Sequence, residues 1–309
     1  MERKILAAVD GSVHSRNALR YLGQLFGKET EVNIHLLSVV ACANLPAGKD
    51  LMDESEIRNV MSQESRRKYS KADRIMAEAV DYLKRHNIAV PRISAEVRLA
   101  TGGIADFILA EARQGKYDAL VIGRRGLGKL EEWIMGSVSG LILEKAAGVP
   151  VWIVDGKVDS TRFLVPVDGS PHCLKALDHL AFILQGHPEA EITLFNSQSF
   201  FTKNIEVDLD VCYDYWGRKW CRTHFSRPDS LFHAPRQMLI EAGFPEEHIH
   251  TLQATMGLYP SRQIVRRALM DEYGTIVMGR REGLYKKGVF KGVSDRVLAM
   301  AEEVAIWIV

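Results

Sequence analysis

Three glycines and two hydroxyls have the spacing of an anion-binding turn. In Ile122-Gly123-Arg124-Arg125-Gly126-Leu127-Gly128-Lys129, continued at Gly136-Ser137-Val138-Ser139, two residues separate Gly123 from Gly126 and nine separate Gly126 from Gly136. An apolar run ends at Gly123, and a helix-like pattern begins near Ser137. Glycine lets backbone N–H groups approach an anion with no Cβ in the way. A helix start adds unpaired N–H groups and the positive end of its dipole. Each contribution is worth about 0.3–2 kcal/mol, so several must converge to hold a triphosphate. Ser137 and Ser139 can donate to phosphate oxygens or cap the helix. Arg124, Arg125 and Lys129 can neutralise phosphate, although loop cations are usually solvated, and one of the three at most is expected to do so. Gly123-x4-Gly128-Lys129 opens like a P-loop, but Leu130 stands where that motif needs Ser or Thr for Mg2+, which excludes a P-loop ATPase.

A carboxylate follows the first apolar run, in Val9-Asp10-Gly11-Ser12. Asp10 can accept hydrogen bonds from a ligand or can bond its own turn. Little else is built for catalysis: no catalytic residue is assigned, and there is no metal cluster, Ser-His-Asp pattern or carboxylate pair beside the glycines. Between Asp208 and His233 lie Cys212, Tyr213, Tyr215, Trp216, Trp220, Cys221, His224 and Phe225. Their spacing matches no compact zinc pattern. An aromatic helix or lid covering the sheet is the better reading, with an exposed partner surface as the other.

The elements that must position these residues occur twice. Val9-Asp10-Gly11-Ser12 returns as Val167-Asp168-Gly169-Ser170, 158 positions on; Gly123-Arg124-Arg125 returns as Gly279-Arg280-Arg281, 156 on; Trp152-Ile153-Val154 returns as Trp307-Ile308-Val309, 155 on. Matches in one order at nearly one spacing mark a duplication. Strands are expected at Lys4–Val9, Glu31–Val40, Ile93–Leu99, Ala119–Gly123 and Val149–Val154. Helices are expected near Ser15–Phe26, Glu54–His86, Gly103–Arg113 and Ser137–Ala147. The second half repeats the strands as Arg162–Val167, Glu191–Ser197, His248–Met256, Thr275–Gly279 and Val304–Val309. Alternating strands and helices predict an α/β fold with parallel sheets covered on both faces. The 309 residues divide into domains at 1–155 and 161–309, joined by a short polar connection.

Composition narrows the class. Apolar residues are 47% and charged residues 26%, and the formal net charge is +1, so no whole-chain field argues for nucleic acid or a membrane surface. No run approaches the roughly 20 apolar residues of a spanning helix. Four cysteines without paired short spacing (Cys42, Cys173, Cys212, Cys221) are expected as free, apolar fillers in a reducing cytoplasm.

The pattern Gly123-x2-Gly126-x9-Gly136-Ser137, with Val9-Asp10-Gly11-Ser12 and the duplicated layout, is similar to the ATP-binding signature of universal stress proteins. The resemblance covers essentially the whole chain. It implies two tandem open parallel five-stranded sheets of order 3-2-1-4-5, adenine nucleotide α-hydrolase-like, with strands one and four meeting at the switch point where ligands of open sheets bind. It also implies a cofactor, ATP, with or without Mg2+. Carried over, Ala8 and Asp10 sit beside adenine and ribose, and Val39 presents backbone groups to the adenine edge. Gly123, Arg124, Gly126, Gly136, Ser137, Val138 and Ser139 surround ribose and phosphates.

The second half departs from the signature. Without gaps, Gly279 and Gly292 keep the spacing, but Glu282 replaces the middle glycine and Val293 the hydroxyl residue. With one deletion, Val293-Ser294 aligns with Val138-Ser139 and Gly292 leaves the third glycine's place. Either way this half is expected to bind ATP weakly or not at all, and Glu282 adds a repelling charge. The family's apolar last strands cross-pair, which implies an internal pseudo-dimer of the halves, Trp152 and Trp307 near its seam, and leaves a homodimer open. The expectation is an ATP- or ADP-binding regulatory, stress-response protein of the cytoplasm with an unidentified protein partner. The alternatives are a slow ATP-hydrolysing or nucleotidyl-transferring enzyme of the α-hydrolase superfamily, and a nucleotide-free dimerisation module. The SGGxDS-like loop of the transferring enzymes is missing from Asp10-Gly11-Ser12-Val13-His14-Ser15.

Overall fold

The computed structural model describes residues 2–27, 31–42, 62–100, 102–124, 137–185, 187–197, 209–227, 229–254, 257–280 and 292–309. The chain divides into two compact units, Met1–Lys157 and Val158–Val309.

In the first unit, β1 (Arg3–Ala8), β2 (Val32–Ala41), β3 (Ile93–Ala100), β4 (Ala119–Gly123) and β5 (Val151–Val154) lie in the order 3-2-1-4-5. Every pairing is parallel, with Ala8 opposite Leu37 and Ala7 opposite Val121. The central strands are continuous apolar runs because both faces are covered: Ile5, Leu6, Ala119, Leu120 and Val121 are fully buried. The helices are α1 (Val13–Phe26), α2 (Gln63–Arg85), α3 (Ile104–Gln114) and α4 (Ser137–Lys145). Ser62 caps α2, and the earlier part of the expected long helix lies outside the described residues.

The second unit holds β6 (Arg162–Pro166), β7 (Glu191–Asn196), β8 (Ile249–Gln253), β9 (Thr275–Met278) and β10 (Ala305–Ile308), again parallel and again in the equivalent order. Its helices are α5 (Pro171–Leu184), α6 (Leu209–Trp216), α7 (Arg218–Phe225), α8 (Ser230–Glu241), α9 (Pro260–Met270) and α10 (Val293–Met300). Between the second and third strands, where the first unit has α2, this unit has α6, α7 and α8. The aromatic segment is therefore helical, with Cys212 and Cys221 fully buried. Among the described residues no cluster of three or more His, Cys, Asp or Glu could hold a metal ion, and no helix is long and apolar enough to cross a membrane.

Trp152 and Trp307 lie in the cores of their own units. Trp152 stacks on Phe26 of α1 at 6.3 Å, and Trp307 meets Phe163 edge-on at 5.6 Å and His179 of α5 at 5.9 Å. All four cysteines are buried, and desolvation pushes the Cys173 thiol up to about 12.

One contact recurs where each first helix meets its fourth strand. A Cβ on Gly123 would lie 2.7 Å from the His14 carbonyl carbon, and one on Gly279 would lie 2.0 Å from the His172 carbonyl oxygen. Both neighbours are backbone, so neither can yield cheaply. Gly279→Ala is expected to destabilise by about 3 kcal/mol or more, the upper end of overpacking costs, and Gly123→Ala by less, read as urea midpoints. A wild-type midpoint in Gly279→Ala would remove this contact from the account.

A second prediction follows from His179, which burial pushes down to about 3 from 6.5. Below pH 6.5 the unfolded chain takes up a proton there that the folded unit refuses until about pH 3. Stability should therefore fall with falling pH across that window, by up to about 1.4 kcal/mol per pH unit from this group. Urea unfolding of His179→Phe should show a shallower acid loss than wild type; an equal loss would sink the assignment.

Candidate functional site

The carboxyl ends of β1 and β4 form the switch point of the first unit, since the chain runs outward to β2 and β3 on one side and to β5 on the other. Asp10 lies two residues past the end of β1. Its Oδ1 accepts the Ser12 N–H at 2.9 Å, an Asx turn that holds Gly11 at φ +77°. A carboxylate has about four acceptor positions, so this bond does not exhaust it. Ser12 then caps α1 by accepting the Ser15 N–H at 3.1 Å. The turn places Asp10 just beyond the carboxyl end of β1. Ala8 and Val39, both half-buried, lie near the same carboxyl edge on neighbouring strands.

Helix α4 reaches this edge through one hydrogen bond. Ser139 Oγ donates to the Gly123 carbonyl at 2.8 Å, a buried contact between residues 16 apart. It fixes the first turn of α4 against the end of β4, with Ser137 exposed and Val138 half-buried. The N–H groups of that turn have no partner within the helix and so favour an anion. Among the described residues, a Cβ on Gly140 would meet nothing within 4 Å.

Two of the expected site residues make close contacts within the fold. Arg124 is 4% exposed, and its Nη1 pairs with Asp155 Oδ2 at 3.1 Å while its N–H bonds the Val154 carbonyl at 3.0 Å. A carboxylate just past β5 takes this guanidinium, which braces β4 against β5. Gly123 spends its missing Cβ on the close approach of α1. Gly126, Gly136, Arg125 and Lys129 lie outside the described residues, as does Glu282 of the second half.

Sequence reasoning passed over His14. Its backbone rests on Gly123, and among the described residues its buried Nδ1 has no hydrogen-bond partner. The available signal was the repeat itself, which places His172 at the equivalent position.

The second unit has the same frame. Ser170 N–H bonds Asp168 Oδ1 at 2.9 Å, and Ser170 caps α5 through the Cys173 N–H at 3.2 Å. Arg280 N–H bonds the Val309 carbonyl at 2.9 Å, which makes Arg280 the equivalent of Arg124. Buried Ser294, Val297 and Leu298 on α10 match buried Ser139, Ile142 and Leu143 on α4. That match selects the one-deletion alignment, so Asp295 stands where the first unit has Gly140.

A different cleft, of about 310 Å³, lies at the opposite edge of the first unit, lined by Lys4, His35, Arg92, Ser94 and Tyr117 among others. There burial holds the His35 pKa below its usual value, and Nδ1 shares a 2.7 Å hydrogen bond with Ser94.

Comparisons with known proteins agree with this fold. No curated protein matches the sequence. A universal stress protein from Archaeoglobus fulgidus DSM 4304 is similar in fold at 21% identity and TM-score 0.60, covering 99% of this chain and 95% of its own. A protein of unknown function from Pseudomonas aeruginosa PAO1 is similar at 16% identity and TM-score 0.52, covering 100% of this chain and 92% of its own. A universal stress protein solved in complex with cAMP aligns at 20% identity and TM-score 0.36, over 49% of this chain and 96% of its own. The family model for the universal stress protein family matches residues 1–155, half of the chain, on the same unit that carries the complete glycine signature. With the duplicated α/β frame around that unit, the chain belongs to the universal stress protein family.

Proposed function

We propose that the first unit binds an adenine nucleotide, ATP or ADP, in the crevice between the carboxyl ends of β1 and β4, and that the chain is a regulatory, stress-response protein whose surface changes with occupancy. The observation that carries this reading is the Ser139–Gly123 hydrogen bond, which holds a helix N-terminus beside the Asp10 turn. The helix end favours phosphate and the turn offers a carboxylate to the nucleoside. Backbone N–H groups of residues 137–140 would face the phosphates, with the Ser137 hydroxyl exposed to them. Ala8 and Val39 would line the adenine side, and Gly126 and Gly136 would belong to the phosphate loop. Mg2+, if taken, would be held chiefly by the phosphates themselves, as this ion keeps most of its waters. The assembly in this reading is a pseudo-dimer of the halves with a homodimer as its extension, working in the cytoplasm with a protein partner.

Calorimetric titration with ATP tests the proposal. Wild type should bind one ATP per chain, and Asp10→Ala should bind at least ~10-fold more weakly, equivalent to about 1.4 kcal/mol. Ser139→Ala should also weaken binding, by freeing the α4 turn, while leaving a folded protein. No heat of binding for either ATP or ADP would refute the nucleotide reading. Turnover well above background, lost in Asp10→Ala, would replace the regulatory reading with an enzymatic one.

A further inference from the structure

The duplication supplies an internal control, because the two units share a frame and differ at identifiable points inside it. At the carboxyl end of the second strand, Ala8 opposes Leu37 in the first unit and Pro166 opposes Phe195 in the second, so Ser38 is the equivalent of Asn196. Asn196 Nδ2 donates to the Val167 carbonyl at 2.8 Å, placing an amide across the ends of β6 and β7. Ser38 is a shorter side chain at the same register. At the helix end, Asp295 replaces Gly140. Its carboxylate is 2% exposed and lies in the first turn of α10: Oδ2 accepts the Gly292 N–H at 3.3 Å, and Oδ1 lies 3.7 Å from Arg280 Nη2. Among the described residues no hydrogen-bond donor reaches Oδ1.

A buried carboxylate oxygen that lacks a donor is costly, and a fold tolerates it where the surrounding field is positive. Here the field comes from the α10 N-terminus and the Arg280 guanidinium. That is the environment a ligand phosphate would occupy. In the first unit the equivalent arginine, Arg124, is paired instead with Asp155, and among the described residues a Cβ on Gly140 would meet nothing within 4 Å.

We infer that the second unit closes its crevice with its own side chains: the Asp295 carboxylate stands in for the phosphate group at the α10 N-terminus, and the Asn196 amide bars the nucleoside end. The second unit is a nucleotide site held shut from within, and Asp295 and Asn196 set which half of the chain takes ligand. The identity of the excluded ligand as a nucleotide rests on the reading proposed for the first unit.

The test is the stoichiometry of ATP bound at equilibrium dialysis, compared between wild type and the double variant Asn196→Ser, Asp295→Gly, with thermal melts to check folding. The expected result is one ATP per chain in wild type and two in the variant. Two in wild type, or one in both, overturns the inference and leaves the first-unit reading standing. None in wild type with one in the variant upholds the inference and overturns that reading, and none in either overturns both. Should the double variant fail to fold, Asp295→Ser alone is titrated with inorganic triphosphate against wild type. One added site then supports the inference and an unchanged count overturns it.

Discussion

The architecture depends on how closely the first helix of each unit can approach the end of the fourth strand. Gly123 and Gly279 make that approach possible, because any side chain there would meet the backbone of His14 or His172. Once the helix is seated, the Asp-Gly-Ser turn that starts it lies beside the end of the neighbouring strand. In the first unit the Gly123 carbonyl then accepts the Ser139 hydroxyl and so brings α4 to the same place. One residue thus joins three elements. Deep interiors are close-packed, so a joint of this kind has no slack to absorb a methyl group.

Much of this was legible in the sequence. The repeats at nearly one spacing announced two units, and the strands appeared as short, wholly apolar runs because both faces of a parallel sheet are covered. Observed strand ends fall within a few residues of those expected, and the order 3-2-1-4-5 is the one the resemblance implied. The illegible part was the division of labour within the glycine run. A glycine needed for close packing and one needed for anion approach look alike in sequence, so Gly123 reads as either. Arg124 looked like a loop cation because its partner, Asp155, lies 31 positions away, and only the pairing of β4 with β5 brings them together. The position of the deletion in the second half was equally hidden, and the burial pattern of α10 resolves it.

Comparing the units separates framework from ligand chemistry. The aspartate turn, the serine cap and the glycine joint are in both, so they serve the fold whatever else they do. Among the residues that differ are Ser38 against Asn196 and Gly140 against Asp295, and at both positions the second unit carries the larger polar side chain. The same α/β frame is present in both halves.

The most direct measurement is a crystal structure of the full chain grown with ATP. The account predicts density for a single nucleotide, its purine beside Ala8 and Val39, its ribose near Asp10 and its phosphates at the first turn of α4, with the Asp295 carboxylate still seated at α10. Nucleotide density in the second unit, or an empty first crevice with ATP bound elsewhere, would contradict it.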